Sequence, residues 1–426
     1  MRYKTIACLG CLLCVVILFQ HVFAQAPLGT NYNESNVQPY TLPDPLLMQN
    51  GKKVSSKKEW NEIQRPYIYH LFEENVYGRV PQTKISVTSR LRESSEDALN
   101  GNAIRRQVRL YLNPADTTVY IDLLIYLPKG NVKPPVFVGY NFTGNQTVQP
   151  DPAIFISEKP LLYSRFKKAD GTANDSTRGI DSKSWDVKSM IQNGIGLITA
   201  YYGDIEMDTK DGWQTGVRSK MKDALQIQPV EWSAISAWAW GLMLIMDYLE
   251  HANEIDTKRI TLFGHSRLGK TALWAGANDQ RFAMVISNES GEGGAALARR
   301  NYGETIKDLN ERFPHWFVEK YRTYNNNAAA MPVDQHMLLS LIAPRPLYVA
   351  SAQDDQWSDP KGEFLSAVNA GGVYALFGKK GLGTDKMPSL NTSVGNTIRY
   401  HERTGKHAVT EFDWQQYIKF VKEELK

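Results

Sequence analysis

The sequence predicts an α/β fold: a mostly parallel central sheet that starts with antiparallel strands and carries helices on both faces, as a three-layer sandwich. Two patterns predict it. Strand-like segments follow one another directly in the first third of the chain, as antiparallel strands do. After about residue 136, helix and strand patterns alternate, which implies parallel strands covered on both sides by helices. With 42% hydrophobic and 22% charged residues, the chain can bury a sizeable core.

Each element is predicted from its local pattern of apolar residues. A helix over 59–77 precedes antiparallel strands over 84–91, 105–112 and 118–127. Later strands are predicted over 136–140, 195–201, 259–263, 282–286, 346–350 and 373–377, and later helices over 182–193, 231–252, 267–278, 361–370 and 410–424. An antiparallel start followed by a parallel remainder is the order of the α/β-hydrolase fold.

The first 24 residues are typical of a secretory signal peptide. Arg2 and Lys4 precede an apolar run, and small residues at Val22 and Ala24 indicate cleavage after Ala24. The cysteines Cys8, Cys11 and Cys14 lie inside the apolar run and not in a lipoprotein box after it, so we expect a secreted or periplasmic protein without disulfides. Cleavage reduces the basic residues from 49 to 47, against 45 acidic ones. This balance argues against nucleic acid or an anionic membrane as partner.

The processed chain, 25–426, is expected to form a single catalytic domain, because no internal repeat or low-complexity linker divides it. Residues 25–58 are polar and rich in proline and asparagine, which predicts an extended segment strapped over the surface. Two long irregular stretches near 141–182 and 288–332 are interpreted as loop insertions. They belong at the carboxyl edge of the sheet, where open α/β sheets place their sites.

The strongest chemical signal is the segment Gly264–Gly269 at the end of a predicted strand. A serine on a sharp turn between strand and helix is the setting of a nucleophile elbow, and glycines remove Cβ atoms that would clash there. Ser266 occupies this turn, although Gly269 follows it by three positions instead of two. Serine is also common as a helix N-cap. The strand, turn and helix together favour a nucleophile.

A serine hydroxyl needs a base, and in this fold the chain order is serine, acid, histidine. His407 is the predicted base, because it follows Gly405 in an exposed loop between the last predicted strand and the last helix. His401 lies in the same stretch and is the alternative. His336 precedes its strand and is expected to be a packed or capping residue.

Two positions offer the acid that orients the histidine. Glu289 follows predicted strand 282–286, and Asp355 follows predicted strand 346–350. The residues alone do not choose between them. The histidines show no ligand spacing, so neither a metal nor an organic cofactor is expected.

Several motifs occur together across the chain from about residue 59 to its end. They are Asn141–Asn145, Trp238–Gly241, Gly264–Lys270, Asn288–Gly291, Arg300, Tyr302–Glu304, Ala343–Pro346, Asp355–Pro360 and Gly405–His407. Together these motifs resemble the bacterial glucuronoyl esterases of carbohydrate esterase family 15, also called 4-O-methyl-glucuronoyl methylesterases. The resemblance implies a serine carboxylic-ester hydrolase of the α/β-hydrolase superfamily. Such an enzyme cleaves the ester between (4-O-methyl-)glucuronic acid branches of glucuronoxylan and lignin alcohols, and so acts in xylan degradation.

The resemblance also assigns roles to individual residues. It implies Ser266 as nucleophile, His407 as base and Arg267 as oxyanion stabiliser, through its backbone N–H and its guanidinium. Bacterial members carry the acid at either of two positions, so Glu289 and Asp355 both remain candidates.

The positions matching Lys270, Glu304 and Trp357 hold the uronate ring and its hydroxyls in that family. On the residues alone, Lys270 could be a solvated helix lysine and Trp357 a core or lid aromatic residue. An acetyl or feruloyl xylan esterase on the same fold would have no use for these three side chains. A catalytically silent carbohydrate-binding relative is a third hypothesis. A monomer is expected, with a uronic-acid ester of plant cell-wall polysaccharide as its partner.

Overall fold

The computed structural model describes residues 29–130, 133–161 and 171–426. The predicted signal peptide and its cysteines lie outside them. Within these residues, ten strands form one sheet in the order β1-β2-β3-β5-β4-β6-β7-β8-β10-β9. The strands are β1 (Thr88–Asp97), β2 (Ala103–Tyr111), β3 (Tyr120–Pro128), β4 (Val136–Asn141), β5 (Gly196–Tyr201), β6 (Ile260–His265), β7 (Met284–Asn288), β8 (Leu347–Ala352), β9 (Val394–Gly395) and β10 (Ile398–Arg403).

The pairing of the strands confirms the predicted fold class. β1, β2, β3 and β5 pair antiparallel in that order. From β5 through β4, β6, β7 and β8 to β10, every pair is parallel. Because parallel strands end at one edge, β6, β7, β8 and β10 bring the segments that follow them together.

Helices cover both faces of the sheet. They are α1 (Lys57–Glu59), α2 (Arg65–Phe72), α3 (Ala98–Gly101), α4 (Val187–Gln192), α5 (Val217–Lys220), α6 (Lys222–Leu225), α7 (Ala234–Leu249), α8 (Arg267–Asn278), α9 (Ile306–Arg312), α10 (Gln335–Ser340), α11 (Pro360–Leu376) and α12 (Glu411–Glu424). The π-helical segment Trp60–Gln64 joins α1 to α2, and a second one, Glu73–Tyr77, extends α2 at its C-terminal end. Together they form the continuous helix predicted over 59–77. None of the helices in the described ranges is long and apolar enough to cross a membrane.

Alternating side chains of the central strands separate two hydrophobic cores, because successive residues of a strand point to opposite faces. Leu262 and Val285 join the larger core beneath α7, α8, α10 and α11. Their neighbours Phe263 and Ile286 join the smaller core beneath α4 and α12. The sheet is therefore the middle of three layers.

One predicted strand, over 373–377, is wrong. α11 continues through Leu376, with Val373 and Tyr374 buried against the larger core. A short apolar run fits a buried helix as well as a strand, which explains the error. On the side of β8 away from β7, the strand that pairs with β8 is β10, and it contains His401.

His401 is therefore not a loop residue, and its proposal as an alternative base is wrong. Its ring is fully buried in β10, where Nε2 contacts Asp413 Oδ1 at 2.9 Å. His336 is buried in α10, and its Nε2 donates to the Pro43 carbonyl. This agrees with the packed role expected for it. β1 begins at Thr88, later than the predicted start at 84.

Candidate active site

Ser266 occupies the turn between β6 and α8 in an unusual backbone conformation. Its φ of 57° and ψ of −131° lie where non-glycine residues are rare, and such backbone strain is typical of functional turns. The Ser266 N–H donates to the Asn288 carbonyl at 2.9 Å, which joins the turn to the end of β7. In the described structure its side chain makes no capping hydrogen bond to α8, so the N-cap alternative is not observed. Ser266 is partly exposed, which is compatible with the predicted role as nucleophile.

Both glycines of the elbow are needed for close packing. A Cβ atom on Gly264 would lie 2.0 Å from the Leu268 carbonyl oxygen, inside the first turn of α8. A Cβ atom on Gly269 would lie 2.9 Å from the Cβ of Ser290, which follows Glu289. The shifted glycine spacing thus reflects how closely α8 approaches the segment after β7.

His407 lies beside both candidate acids. Its Nδ1 donates to Asp355 Oδ2 at 2.6 Å and lies 3.1 Å from Glu289 Oε2. Asp355 follows β8 and Glu289 follows β7, so the sheet edge brings together residues more than 50 positions apart in sequence. The His407 side chain is 22% exposed, and both carboxylates are buried. The ring of His265, next to Ser266, lies 4.4 Å from the His407 ring.

The electrostatic environment differs between the two carboxylates. Burial alone would lower the pKa of His407, but Asp355 and Glu289 outweigh it and raise that pKa above its usual value. Burial would raise the pKa of Asp355, but His407 lowers it overall. Burial dominates at Glu289 and raises its pKa to about 7, although His407 and Arg403 oppose the shift. Asp355 is thus the more firmly ionised group and makes the shorter contact with the imidazole.

Arg403, which the sequence reasoning missed, holds the loop that contains His407. Its guanidinium donates to Glu289 Oε1, to the Lys406 and Ala408 carbonyls, and to Asp413 Oδ2. The Ala408 N–H donates in turn to Glu289 Oε2 at 2.9 Å. Glu289 therefore supports this loop as well as contacting His407. Arg403 was missed because β10, which it ends, was not predicted.

Glu363, at the start of α11, links the two segments that hold the acids. Its carboxylate accepts hydrogen bonds from the backbone N–H groups of Ser290 and Gly291, at 2.8 and 3.0 Å. It also accepts one from the Ser351 hydroxyl, in β8, at 2.6 Å. An acidic residue in a first helical turn is ordinary, so nothing in the sequence set Glu363 apart.

Lys270 and Glu304 form a buried pair next to the elbow. The Lys270 ammonium donates to the Ser290 carbonyl and to Glu304 Oε1 at 3.2 Å, with side-chain exposures of 3% and 6%. Lys270 is therefore not a solvated helix lysine. Burial raises the pKa of Glu304, although Lys270 opposes the shift.

Trp357 lies beside this pair. The backbone N–H of Glu304 donates to the Trp357 carbonyl at 2.8 Å. The indole is partly exposed, and the Arg312 guanidinium lies 5.2 Å from the ring centre. The structure therefore places Lys270, Glu304 and Trp357 beside one another, and His407 beside Asp355 and Glu289. Ser266 is linked to the second group through its neighbour His265, whose ring centre lies 4.4 Å from that of His407.

The N-terminal segment crosses the rim of this site. The Gly303 N–H donates to the Asn31 carbonyl at 2.9 Å, directly before Glu304. Glu34 forms ion pairs with Arg300 and Lys361. The part of the lead-in that the structure describes is thus a strap, as predicted, and it supports the segment that holds Glu304.

Three possible metal ligands also meet at this site. Ligand atoms of His265, Glu289 and His407 lie within 4.8 Å of one another. A cation there would compete with the Arg403 guanidinium for the Glu289 carboxylate and with the Asp355 hydrogen bond for His407 Nδ1. The group therefore fits an acid–base network better than a metal centre.

Comparison with known proteins gives consistent matches. Residues 183–378 match a family model described as glucuronyl esterase of fungi. The chain is 45% identical to the carbohydrate esterase MZ0003 of an unknown prokaryotic organism, over 94% of the chain and 93% of that protein. A promiscuous CE15 esterase from a marine bacterial metagenome has a TM-score of 0.87 at 44% identity, covering 93% of this chain and all of that one. A glucuronoyl esterase from Solibacter usitatus has a TM-score of 0.86 at 45% identity, covering 92% of this chain and all of that one.

Proposed function

The chain belongs to the glucuronoyl esterases of carbohydrate esterase family 15, which are carboxylic ester hydrolases, and we propose that its substrate is the ester between (4-O-methyl-)glucuronic acid branches of glucuronoxylan and lignin alcohols. One observation carries this proposal. A buried ammonium–carboxylate pair, Lys270 with Glu304, lies one helical turn from Ser266. Polar groups at that position can hydrogen-bond a hydroxylated ring on the acyl side, which a simple acetate ester lacks.

The reaction is acyl transfer in two steps. His407 accepts the proton of Ser266, whose oxygen attacks the C6 carbonyl of the glucuronate ester. The oxyanion is stabilised by the backbone N–H and the guanidinium of Arg267. His407 then protonates the leaving alcohol, and water hydrolyses the acyl-enzyme to free glucuronate.

Asp355 is the principal acid of this mechanism and Glu289 the auxiliary one. The shorter contact and the lowered pKa of Asp355 support this order. Glu289 divides its carboxylate between His407, Arg403 and the Ala408 N–H, so part of its role is to hold the loop.

The sugar is held by Lys270 and Glu304 through its hydroxyls and by Trp357 through its apolar ring face. The predicted signal peptide supports a secreted or periplasmic location, where the enzyme has access to fragments of plant cell-wall polysaccharide. A single catalytic domain over 25–426 is part of the same proposal.

The test compares two classes of ester with the same enzyme. Benzyl or methyl glucuronate is assayed beside an acetate ester and acetylated xylan, for the wild type, Lys270→Met and Glu304→Gln. We expect either substitution to reduce kcat/KM for the glucuronate ester by about 10²-fold and for the acetate ester by less than about threefold. Activity confined to acetate esters would overturn the substrate assignment.

A second function, hydrolysis of acetyl or feruloyl esters, is favoured by one comparison. The marine metagenome enzyme, at 44% identity, is described as promiscuous. Such turnover would use Ser266 and His407 without Lys270, Glu304 or Trp357. The glucuronate-ester and acetate-ester assays together measure kcat/KM for this second activity relative to that for the first.

A further inference from the structure

Asp208, which no sequence motif singled out, is a buried carboxylate beside the first residue of α8. Its side chain is 1% exposed and accepts hydrogen bonds from four donors in separate parts of the chain. They are Arg267 Nη1 at 2.5 Å, Trp316 Nε1 at 2.6 Å, His315 Nε2 at 2.7 Å and the Tyr202 hydroxyl at 3.1 Å. Burial would raise the pKa of Asp208, but Arg267, His315 and Trp316 lower it overall, so the group is ionised at neutral pH.

The same carboxylate also fixes an aromatic surface against Arg267. Trp316, which donates to Asp208, has its ring centre 5.0 Å from the Arg267 guanidinium carbon. Phe313 stacks on Trp316 with ring centres 3.9 Å apart and planes 5° from parallel. The guanidinium thus has a charged hydrogen bond on one side and an aromatic ring on another, which restricts its orientation.

We propose that Asp208 is a positioning residue for ester hydrolysis, which holds the Arg267 guanidinium where the oxyanion develops and locks the 313–316 loop against it. A guanidinium has five N–H donors, so it can bond Asp208 and a substrate oxygen at the same time. Preorganised donors stabilise a transition state because they need no reorientation as charge develops. The inference rests on the proposed function, in which Arg267 stabilises the oxyanion.

The primary test is Asp208→Asn, which keeps the size of the side chain but removes its charge and one acceptor. We expect kcat to fall by about 10²–10³, as for loss of an oxyanion donor, with KM changed by less than about threefold. The pH midpoint of the acid limb of kcat should stay close to that of the wild type, because the described carboxylates that contact His407 Nδ1 are those of Asp355 and Glu289. Asp208→Glu, which keeps the charge, should recover part of the loss.

Glu206→Gln is the matched control. Glu206 lies two positions away and is equally buried, but it pairs with Arg218 at 2.6 Å instead of Arg267. This control should lower the melting temperature and leave kcat of the folded enzyme within about threefold. If Asp208→Asn lowers kcat no more than Glu206→Gln does, Asp208 has only a structural role and the proposal is wrong.

A double-mutant cycle shows whether Asp208 acts through Arg267. In an Arg267→Ala background, Asp208→Asn should reduce kcat by less than about threefold, whereas an unchanged large loss would refute the proposal. If Asp208→Asn does not fold, Trp316→Phe removes one donor to Asp208 and is taken through the same cycle.

All rates are measured on an acetate ester as well as a glucuronate ester, because an oxyanion forms with either. A wild type inactive on glucuronate only would contradict the proposed substrate and leave the test of Asp208 intact.

Discussion

Replacing Asp355 by asparagine tests how much each of the two carboxylates, Asp355 and Glu289, contributes to kcat through its contact with His407. The substitution keeps the shape of the side chain and removes the charge 2.6 Å from Nδ1. Glu289 Oε2 remains 3.1 Å from the same nitrogen. His407 Nδ1 therefore loses the carboxylate that it contacts at the shorter distance, while the Glu289 carboxylate remains within contact distance.

The expected loss follows from this geometry. A hydrogen bond to a charged group contributes about 1.5–3 kcal/mol, which corresponds to about 10–10² in rate. Loss of the sole carboxylate of a serine triad reduces kcat by about 10⁴. We expect Asp355→Asn to reduce kcat by about 10–10², and the double variant with Glu289→Gln by about 10⁴, because both carboxylates that contact His407 Nδ1 are then neutral.

The pH profile provides a second readout of the same substitution. His407 acts as a base only when neutral, and nearby carboxylates favour its protonated form and raise its pKa. Removing the Asp355 charge lowers that pKa, so the acid limb of kcat should move to lower pH.

The assay is steady-state hydrolysis of benzyl glucuronate across pH, with the melting temperature as the control for folding. An unchanged kcat in Asp355→Asn would remove Asp355 from the site. A loss of about 10⁴ from this single substitution would show that Glu289 does not serve as a second acid.

Three further predictions concern the elbow and its support. Ser266→Ala should lower kcat by about 10⁶ while binding of glucuronate, measured by calorimetry, persists; unchanged turnover would refute the nucleophile. Gly269→Ala places a Cβ atom 2.9 Å from that of Ser290, so we expect a destabilisation of about 1–3 kcal/mol in urea unfolding together with a lower kcat. A stable and fully active variant would show that α8 can shift without affecting the site. Asp413→Asn removes the buried partner of His401 and Arg403 and should destabilise by about 3 kcal/mol at pH 7. Burial would raise the pKa of Asp413, but His401 and Arg403 lower it overall, so its contribution is present above the unfolded pKa near 3.8 and is lost as pH falls. The difference in melting temperature from the wild type should therefore shrink toward pH 3, and a constant difference would contradict this.

Much of the candidate site could be predicted from the sequence, because the patterns that indicate it each span only a few residues. The elbow is a contiguous segment, and the predicted bounds of α8 agree with Arg267–Asn278. Both candidate acids lie within three residues of the end of an apolar strand, so their position at the same sheet edge could be inferred from the alternation of helix and strand. β10 was missed because its buried positions include His401 and Arg403, which hydrogen bonds to Asp413 stabilise. Hydrophobic periodicity detects poorly a strand in which charged or polar side chains occupy part of the buried positions.

By itself, the sequence determined the fold class and selected Ser266 as the candidate nucleophile and Glu289 and Asp355 as the candidate acids, because each choice depends on patterns within a few residues. Only the tertiary structure decided that Asp355 lies closer to His407 than Glu289 does. It alone also showed that His401 is a buried strand residue that contacts Asp413. Asp208, Glu363 and Arg403 also became visible only there. The physical reason is that hydrogen bonds to buried carboxylates join groups distant in sequence, and their strength depends on tenths of an ångström and on burial.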